Sequence, residues 1–242
     1  MAQKKKKKKL NFKRLIVFLL LIYLIIAGVL KILNEPIRNI IITGNYFASD
    51  NDIINAAGIK NYPAIAKLNI SKIKKQILEN PLISEVEIKR NLRFQLKIKV
   101  KELKVICLDR PNDVILLEDG SKIEKSPDFL GIPTLINYTK EDVLKEFLKG
   151  MGALDYGTIS GISEIEYAPS KSANENIVDD TRFLLKMNDG NSVYINIYKL
   201  NNLKYYQKIY ASLNNKKGIL HLDSGSYLEE VKWIIMKKWK KL

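Results

Sequence analysis

The chain has 242 residues and a formal net charge of +15, from 41 Lys and Arg against 26 Asp and Glu, with one cysteine and one histidine. A single Cys107 cannot form a disulfide within the chain, and one Cys with one His cannot build the usual zinc site of nitrogen and sulfur ligands. No G-x-S-x-G, G-x-x-x-x-G-K-[ST] or G-x-G-x-x-G motif is present, so nucleophile-elbow, P-loop and dinucleotide-binding chemistries have no signature here.

The first fourteen residues hold Lys4, Lys5, Lys6, Lys7, Lys8, Lys9, Lys13 and Arg14 and no acid. Residues 15–33 form an apolar run broken only by Lys31, about 29 Å as a helix, which matches a bilayer's hydrocarbon thickness. Every face of the run is apolar, which argues against an amphipathic core helix. It is longer than a signal-peptide apolar region and ends in no A-x-A site, so it reads as an uncleaved signal anchor. The positive-inside bias then keeps residues 1–14 in the cytoplasm and exports the chain after about residue 34. In that exported part only 32 Lys and Arg face the 26 acids, so no dense basic face is forced and nucleic acid is not an expected partner.

The exported part opens with the β-branched run Ile37 to Thr43, stopped by Gly44-Asn45. Ser49 or Asp50 can cap a short helix carrying Ile53, Ile54 and Ala57, with Gly58 placed to end it. Asn69 or Ser71 can cap a second helix with Ile70, Ile73 and Ile77 at helical spacing, ended by Asn80-Pro81. A hairpin comes next: Val86 and Ile88, a turn at residues 90–93, then Phe94, Leu96, Ile98 and Val100 alternating with Gln95, Lys97, Lys99 and Lys101. The lysine row reads as a solvated face that discourages edge aggregation rather than as a polyanion-binding row.

This strand, helix, helix, strand, strand order, with "IRNIIITGN" first and "NPLISEVEIKRNLRFQLKIKVKEL" last, resembles a POTRA domain. Behind a basic tail and one membrane helix, it is similar to the FtsQ/DivIB family of bacterial cell-division proteins. Pro81, Val86, Arg90, Leu96, Ile98, Val100 and Glu102 stand in the order of the family's pattern; Ile83 replaces a valine, and Leu92 stands near an expected proline. "VILLEDGSKIE" resembles the hairpin that opens the family's β domain, with Asp119-Gly120 suited to a tight turn. "GIPTLIN" matches a short extended segment. "RFLLKMNDGNSVYINI" repeats the hairpin logic around Asp189-Gly190, with Phe183, Leu185 and Met187 opposite Val193, Ile195 and Ile197. Leu203, Tyr206, Tyr210 and Leu213 then share a helical face, and "GILHLDSGSYL" resembles the family's last strand. Residues 168–180 read as a polar loop insertion, and residues 231–242, basic with two tryptophans, have no assigned counterpart.

The fold class expected is α+β: a basic tail at 1–14, an anchor at 15–33, a POTRA-like β-α-α-β-β domain at 37–104, and a mixed β-rich domain with helices at 105–230. The resemblance implies a non-catalytic membrane scaffold of the division machinery, without a cofactor. It would bind FtsB/DivIC-like and FtsL-like partners, meet the lipid bilayer through residues 15–33, and help regulate septal peptidoglycan synthesis. The segment 219–227 is expected to be an edge strand presented to a partner, with Leu222, Asp223, Gly225 and Tyr227 in contact with it. His221 reads as a structural imidazole and Cys107 as a small buried hydrophobe. Two rivals stand beside this reading: a POTRA module of an envelope assembly or secretion system, and a membrane-anchored cell-wall enzyme using paired carboxylates.

Overall fold

Phe12–Leu33 forms the first helix, α1, and none of its side chains is buried. Its 22 residues span about 33 Å. Among the described residues it is the one helix long and apolar enough to cross a membrane. The computed structural model describes residues 12–91, 93–127, 129–212 and 216–230. It divides into two units between Glu102 and Leu103, each with its own core.

In the first unit the element order after α1 is the expected one: β1 (Asn39–Thr43), α2 (Asp50–Ala56), a 3-10 turn (Ile65–Lys67), α3 (Ile70–Ile77), β2 (Ile83–Arg90) and β3 (Gln95–Glu102). β3 lies in the middle of the sheet, parallel to β1 and antiparallel to β2. The helices start where a short polar side chain can satisfy an orphan N–H: Ser49 accepts from Asp52 N at 3.1 Å, and Asn69 from Lys72 N at 3.0 Å. Gly58, at φ +66°, lies just past the end of α2. Their apolar stripes, Ile53 on α2 and Ile73 and Ile77 on α3, close on Val86, Leu96, Ile98 and Val100 of the sheet. Gly44 is obligatory: at φ +91° a Cβ there would lie 2.0 Å from the Val100 carbonyl oxygen. Phe94 packs against the same core as Leu96, Ile98 and Val100, but it precedes the strand. It sits at φ +58° in the turn before β3, with the Arg38 guanidinium 5.1 Å from its ring centroid.

The second unit contains β4 (Val105–Asp109), β5 (Val114–Leu117), β6 (Lys122–Glu124), β7 (Thr134–Leu135), α4 (Glu141–Gly152), α5 (Tyr156–Ser160) and β8 (Ile162–Tyr167). The chain continues through β9 (Ser170–Lys171), β10 (Ile177–Asp179), β11 (Arg182–Met187), β12 (Ser192–Asn196), a 3-10 helix (Ile197–Tyr205), α6 (Tyr206–Ser212), β13 (Gly218–His221) and β14 (Tyr227–Glu230). Nine of these strands form one sheet in the order β14-β13-β12-β11-β8-β7-β4-β5-β6. α4 lays Val143, Phe147, Leu148 and Met151 into the core, where the Phe147 ring stacks on Phe183 at 4.0 Å. Cys107 is fully buried, and burial pushes its thiol pKa well up.

Both expected hairpins form. Gly120 and Gly190 take φ +88° in their turns. Phe183 faces Ile195 and Leu185 faces Val193. Ile197 lies beyond β12, in the 3-10 helix, because the strand ends at Asn196. Leu203 and Tyr206 are buried and Tyr210 is half-buried, whereas Leu213 falls outside the described residues. Residues 168–180 are not a plain loop: β9 and β10 pair as a small antiparallel ribbon separate from the main sheet.

Candidate functional interface

The segment from Ile219 to Tyr227 is two strands and a connection, not one edge strand. β13 lies inside the sheet, parallel to β12 on one side and antiparallel to β14 on the other. Among the described residues the terminal strand of the order is β14. This corrects the sequence expectation, and its cause is non-local: β12 docks on β13, and the chain then turns back to add one strand more.

The four expected contact residues separate accordingly. Leu222 is 2% exposed and donates its N–H to Tyr194 O at 2.8 Å, an interior role. The Asp223 carboxylate is largely buried, with Arg182 Nη1 at 3.5 Å and His221 Nδ1 at 3.7 Å. The Asp223 carbonyl accepts from Lys199 Nζ at 2.7 Å, so this residue anchors the β13–β14 connection. Gly225 has no left-handed backbone, and a Cβ there would meet only the Tyr227 ring at an ordinary 3.4 Å. Tyr227 is 53% exposed and opens β14.

The edge is braced from behind by a row of rings. Arg182 lies 4.4 Å from the Tyr194 centroid, Tyr194 lies 5.3 Å from His221, and His221 stacks on Tyr227 at 4.4 Å. His221 Nε2 is 3.1 Å from Glu229 Oε2, so the imidazole ties β13 to β14 through side chains as well as through the ladder.

Backbone direction on β14 is fixed by two hydrogen bonds. Leu222 N–H reaches β12 at Tyr194 O, and Gly218 N–H reaches Asn191 Oδ1, just before β12, at 3.0 Å. Residues of even number on β13 therefore donate toward β12, and Ile219 and His221 point to β14. Their partners there are Glu229 and Tyr227. The N–H and C=O groups of Leu228 and Glu230 consequently point away from β13, to the side of β14 where no described strand lies. The half-buried Leu228 side chain packs on the core, and the charged Glu229 and Glu230 are exposed. Sequence reasoning missed Leu228 and Glu229; alternation of apolar and acidic residues in "YLEE" was the signal available.

Among the described residues no group of three or more His, Cys, Asp or Glu is arranged to hold a metal ion. Of the expected topology residues, Lys13 and Arg14 lie exposed in the first turn of α1, and Lys4 to Lys9 fall outside the described residues.

Residues 35–102, the first unit without its helix, match the family model of the FtsQ-type POTRA domain. Over 94% of its length the chain is 33% identical to the cell division protein DivIB of Bacillus subtilis, covering 87% of that protein. The chain belongs to the DivIB family of cell-division proteins. DivIB of Listeria monocytogenes is 24% identical over 93% of the chain and 85% of that relative. The solved extracytoplasmic domain of DivIB from Geobacillus stearothermophilus aligns with 48% of the chain and 97% of that domain, at 24% identity and a TM-score of 0.36. As a DivIB-family member, the chain combines one apolar N-terminal helix, a POTRA domain and a β-rich unit in the plan of a single-pass membrane protein.

Proposed function

We propose that this DivIB-family chain is a non-catalytic scaffold at the division septum, binding FtsB/DivIC-like and FtsL-like proteins and thereby helping to regulate septal peptidoglycan synthesis. The basic tail, with Lys13 and Arg14 at its end, keeps the N-terminus in the cytoplasm, and both folded units lie outside the membrane. The observation that carries the reading is the side of β14 where no described strand lies, at the end of a sheet of nine described strands. A partner segment adds there as a further strand, using the backbone groups of Leu228 and Glu230, while exposed Tyr227 supplies an aromatic contact. Of the four residues expected from sequence, Tyr227 touches the partner; Leu222, Asp223 and Gly225 act by holding the connection behind it.

The test is co-purification from solubilised membranes of dividing cells. The wild-type chain recovers FtsB/DivIC-like and FtsL-like proteins, and a chain ending at residue 226 recovers neither. Equal recovery by the truncated chain, with its sheet intact by circular dichroism, would remove β14 from the proposal. Recovery of outer-membrane assembly factors instead would overturn the division role itself. Glutamine at Lys4 to Lys9 weakens or inverts insertion, read as protection of the folded units from external protease; unchanged orientation excludes those lysines as its determinant.

A further inference from the structure

The parallel register of β1 and β3 sets Asn39 opposite Gln95 and Thr43 opposite Lys99. The turn between β2 and β3 therefore lies at the end of the sheet where β1 begins. That end is tightly leashed to the membrane helix. α1 stops at Leu33, and by Arg38 the backbone is already bonded to Phe94 O at 2.8 Å. Residues 34–37 intervene, so Arg38 lies within roughly 18 Å of the helix end even if they were fully extended. They are also held back, by the bridge of Pro36 to Ala64 and by Ile37 N–H on Pro63 O at 3.1 Å. Headgroups extend roughly 5–8 Å beyond the hydrocarbon on each side of a bilayer. That reach overlaps the headgroup layer from which α1 would emerge, so this end of the sheet is the part of the unit leashed closest to it.

The charge there is one-sided. Between Glu87 and Glu102 the chain carries Lys89, Arg90, Arg93, Lys97, Lys99 and Lys101 and no acid. At the far end of the hairpin the charges balance, with Glu85 paired to Lys101 at 2.7 Å and Glu87 opposite Lys99. At the membrane end Lys89 stands directly opposite Lys97, an arrangement of like charges that weakens a strand pair. Arg90, Arg93 and Lys97 also line one open depression, with Asn91 and Gln95 between them. The acids close by are Glu87, 2.5 Å from Lys89, and Glu35, 2.7 Å from Arg38. A one-sided cationic concentration leashed this close to a membrane helix has its complement in phosphate.

We propose that the β2–β3 turn docks on anionic phospholipid headgroups through Lys89, Arg90, Arg93 and Lys97, seating the POTRA unit against the membrane. Arg90 Nη1 already donates to Ile65 O at 3.0 Å, so Arg93 is the guanidinium set to take phosphate oxygens in pairs, while Arg90 and the lysines add charge. The proposal rests on α1 spanning the bilayer and is independent of any partner at β14.

The test uses the full chain in nanodiscs of phosphatidylcholine alone or mixed with phosphatidylglycerol. Lysines are modified by an amine reagent and quantified by mass spectrometry, with exposed Lys72 of α3 as internal reference. Docking slows modification of Lys89 and Lys97 in the anionic discs only, and raised salt removes the protection. One cation near such a surface is worth roughly a fivefold change in the docking equilibrium, so Arg93→Gln returns Lys89 and Lys97 toward their rates in neutral discs. Its thermal unfolding stays that of the wild type, since Arg93 is exposed. Equal modification in the two discs overturns the proposal. So does equal protection in neutral discs by soluble glycerol phosphate, which would mark a site for free phosphate esters.

Discussion

The Glu102 carboxylate, at the end of β3, accepts the backbone N–H of Phe47 at 2.9 Å, a contact between residues far apart in the chain. Its second oxygen takes the N–H of Ala48, also at 2.9 Å. One side chain thus satisfies two donors in the loop between β1 and α2, where no ladder can reach. Glu102→Ala should destabilise the first unit by about 2–3 kcal/mol, since charged hydrogen bonds are lost and part-buried N–H groups are left without acceptors. Glu102→Gln should cost about half of that. Hydrogen exchange at Phe47 and Ala48 measures both, and unchanged exchange in the alanine variant refutes the assignment.

Two adjacent prolines distinguish the open side of β14 from its ladder. Glu229→Pro removes an inward N–H and should lower the melting temperature of the second unit. Leu228→Pro removes an outward N–H, so its unfolding should match that of Leu228→Ala, while only the proline variant loses partner co-purification. If both prolines unfold the unit alike, the deduced backbone direction is wrong.

Asp155 caps α5, accepting Thr158 N at 2.8 Å and Thr158 Oγ1 at 2.8 Å. The hydroxyl bond, seconded by the backbone bond, holds its carboxyl below the ordinary value of 3.8. A carboxyl depressed on folding stabilises fully above its unfolded pKa, and that contribution is lost as the pH falls through the lower folded value. Asp155→Ala should therefore cost about 1 kcal/mol at neutral pH and progressively less as acid is added below pH 3.8. A variant whose deficit is constant across that acid range would show that the carboxylate charge is not what caps the helix.

Cys107 is fully buried, with its thiol pKa raised by desolvation and then by the Asp109 charge. Maleimide at neutral pH should leave the folded chain unlabelled and label it stoichiometrically in denaturant. Rapid labelling of the folded chain would contradict the burial of β4.

The elements that the sequence made legible are those with one wet face. Leu96, Ile98 and Val100 alternate with lysines because β3 buries one side only, and Ser49 and Asn69 announce helix starts by local chemistry. β4 was illegible for the opposite reason: Val105, Ile106 and Cys107 are all buried, so neither face writes a period into the chain. The β9–β10 ribbon pairs polar residues such as Ser170 and Asp179, whose composition is that of a loop. α4 carried a helical period at Val143, Phe147 and Met151, obscured by Gly150 and Gly152. For the interface, Tyr227 could be read as an exposed aromatic near the end of the sheet. That Leu222 and Asp223 face inward could not, because it depends on where β12 docks.

The parallel pairing of β1 with β3 also sets a timetable. Asn39 waits for Gln95, and at about 5–20 residues per second roughly 3–11 s of synthesis separate the two. Throughout that interval the apolar segment Ile40, Ile41 and Ile42 is out with both edges unpaired, a few residues from α1. The β2–β3 hairpin closes by local contacts once made, but the sheet is complete only when β1 is recaptured by its later neighbour. The residues between Thr43 and Gln95 are the linker that keeps the early strand within reach of that neighbour, so the length of this one segment sets both the delay and the effective concentration at which β1 is recaptured.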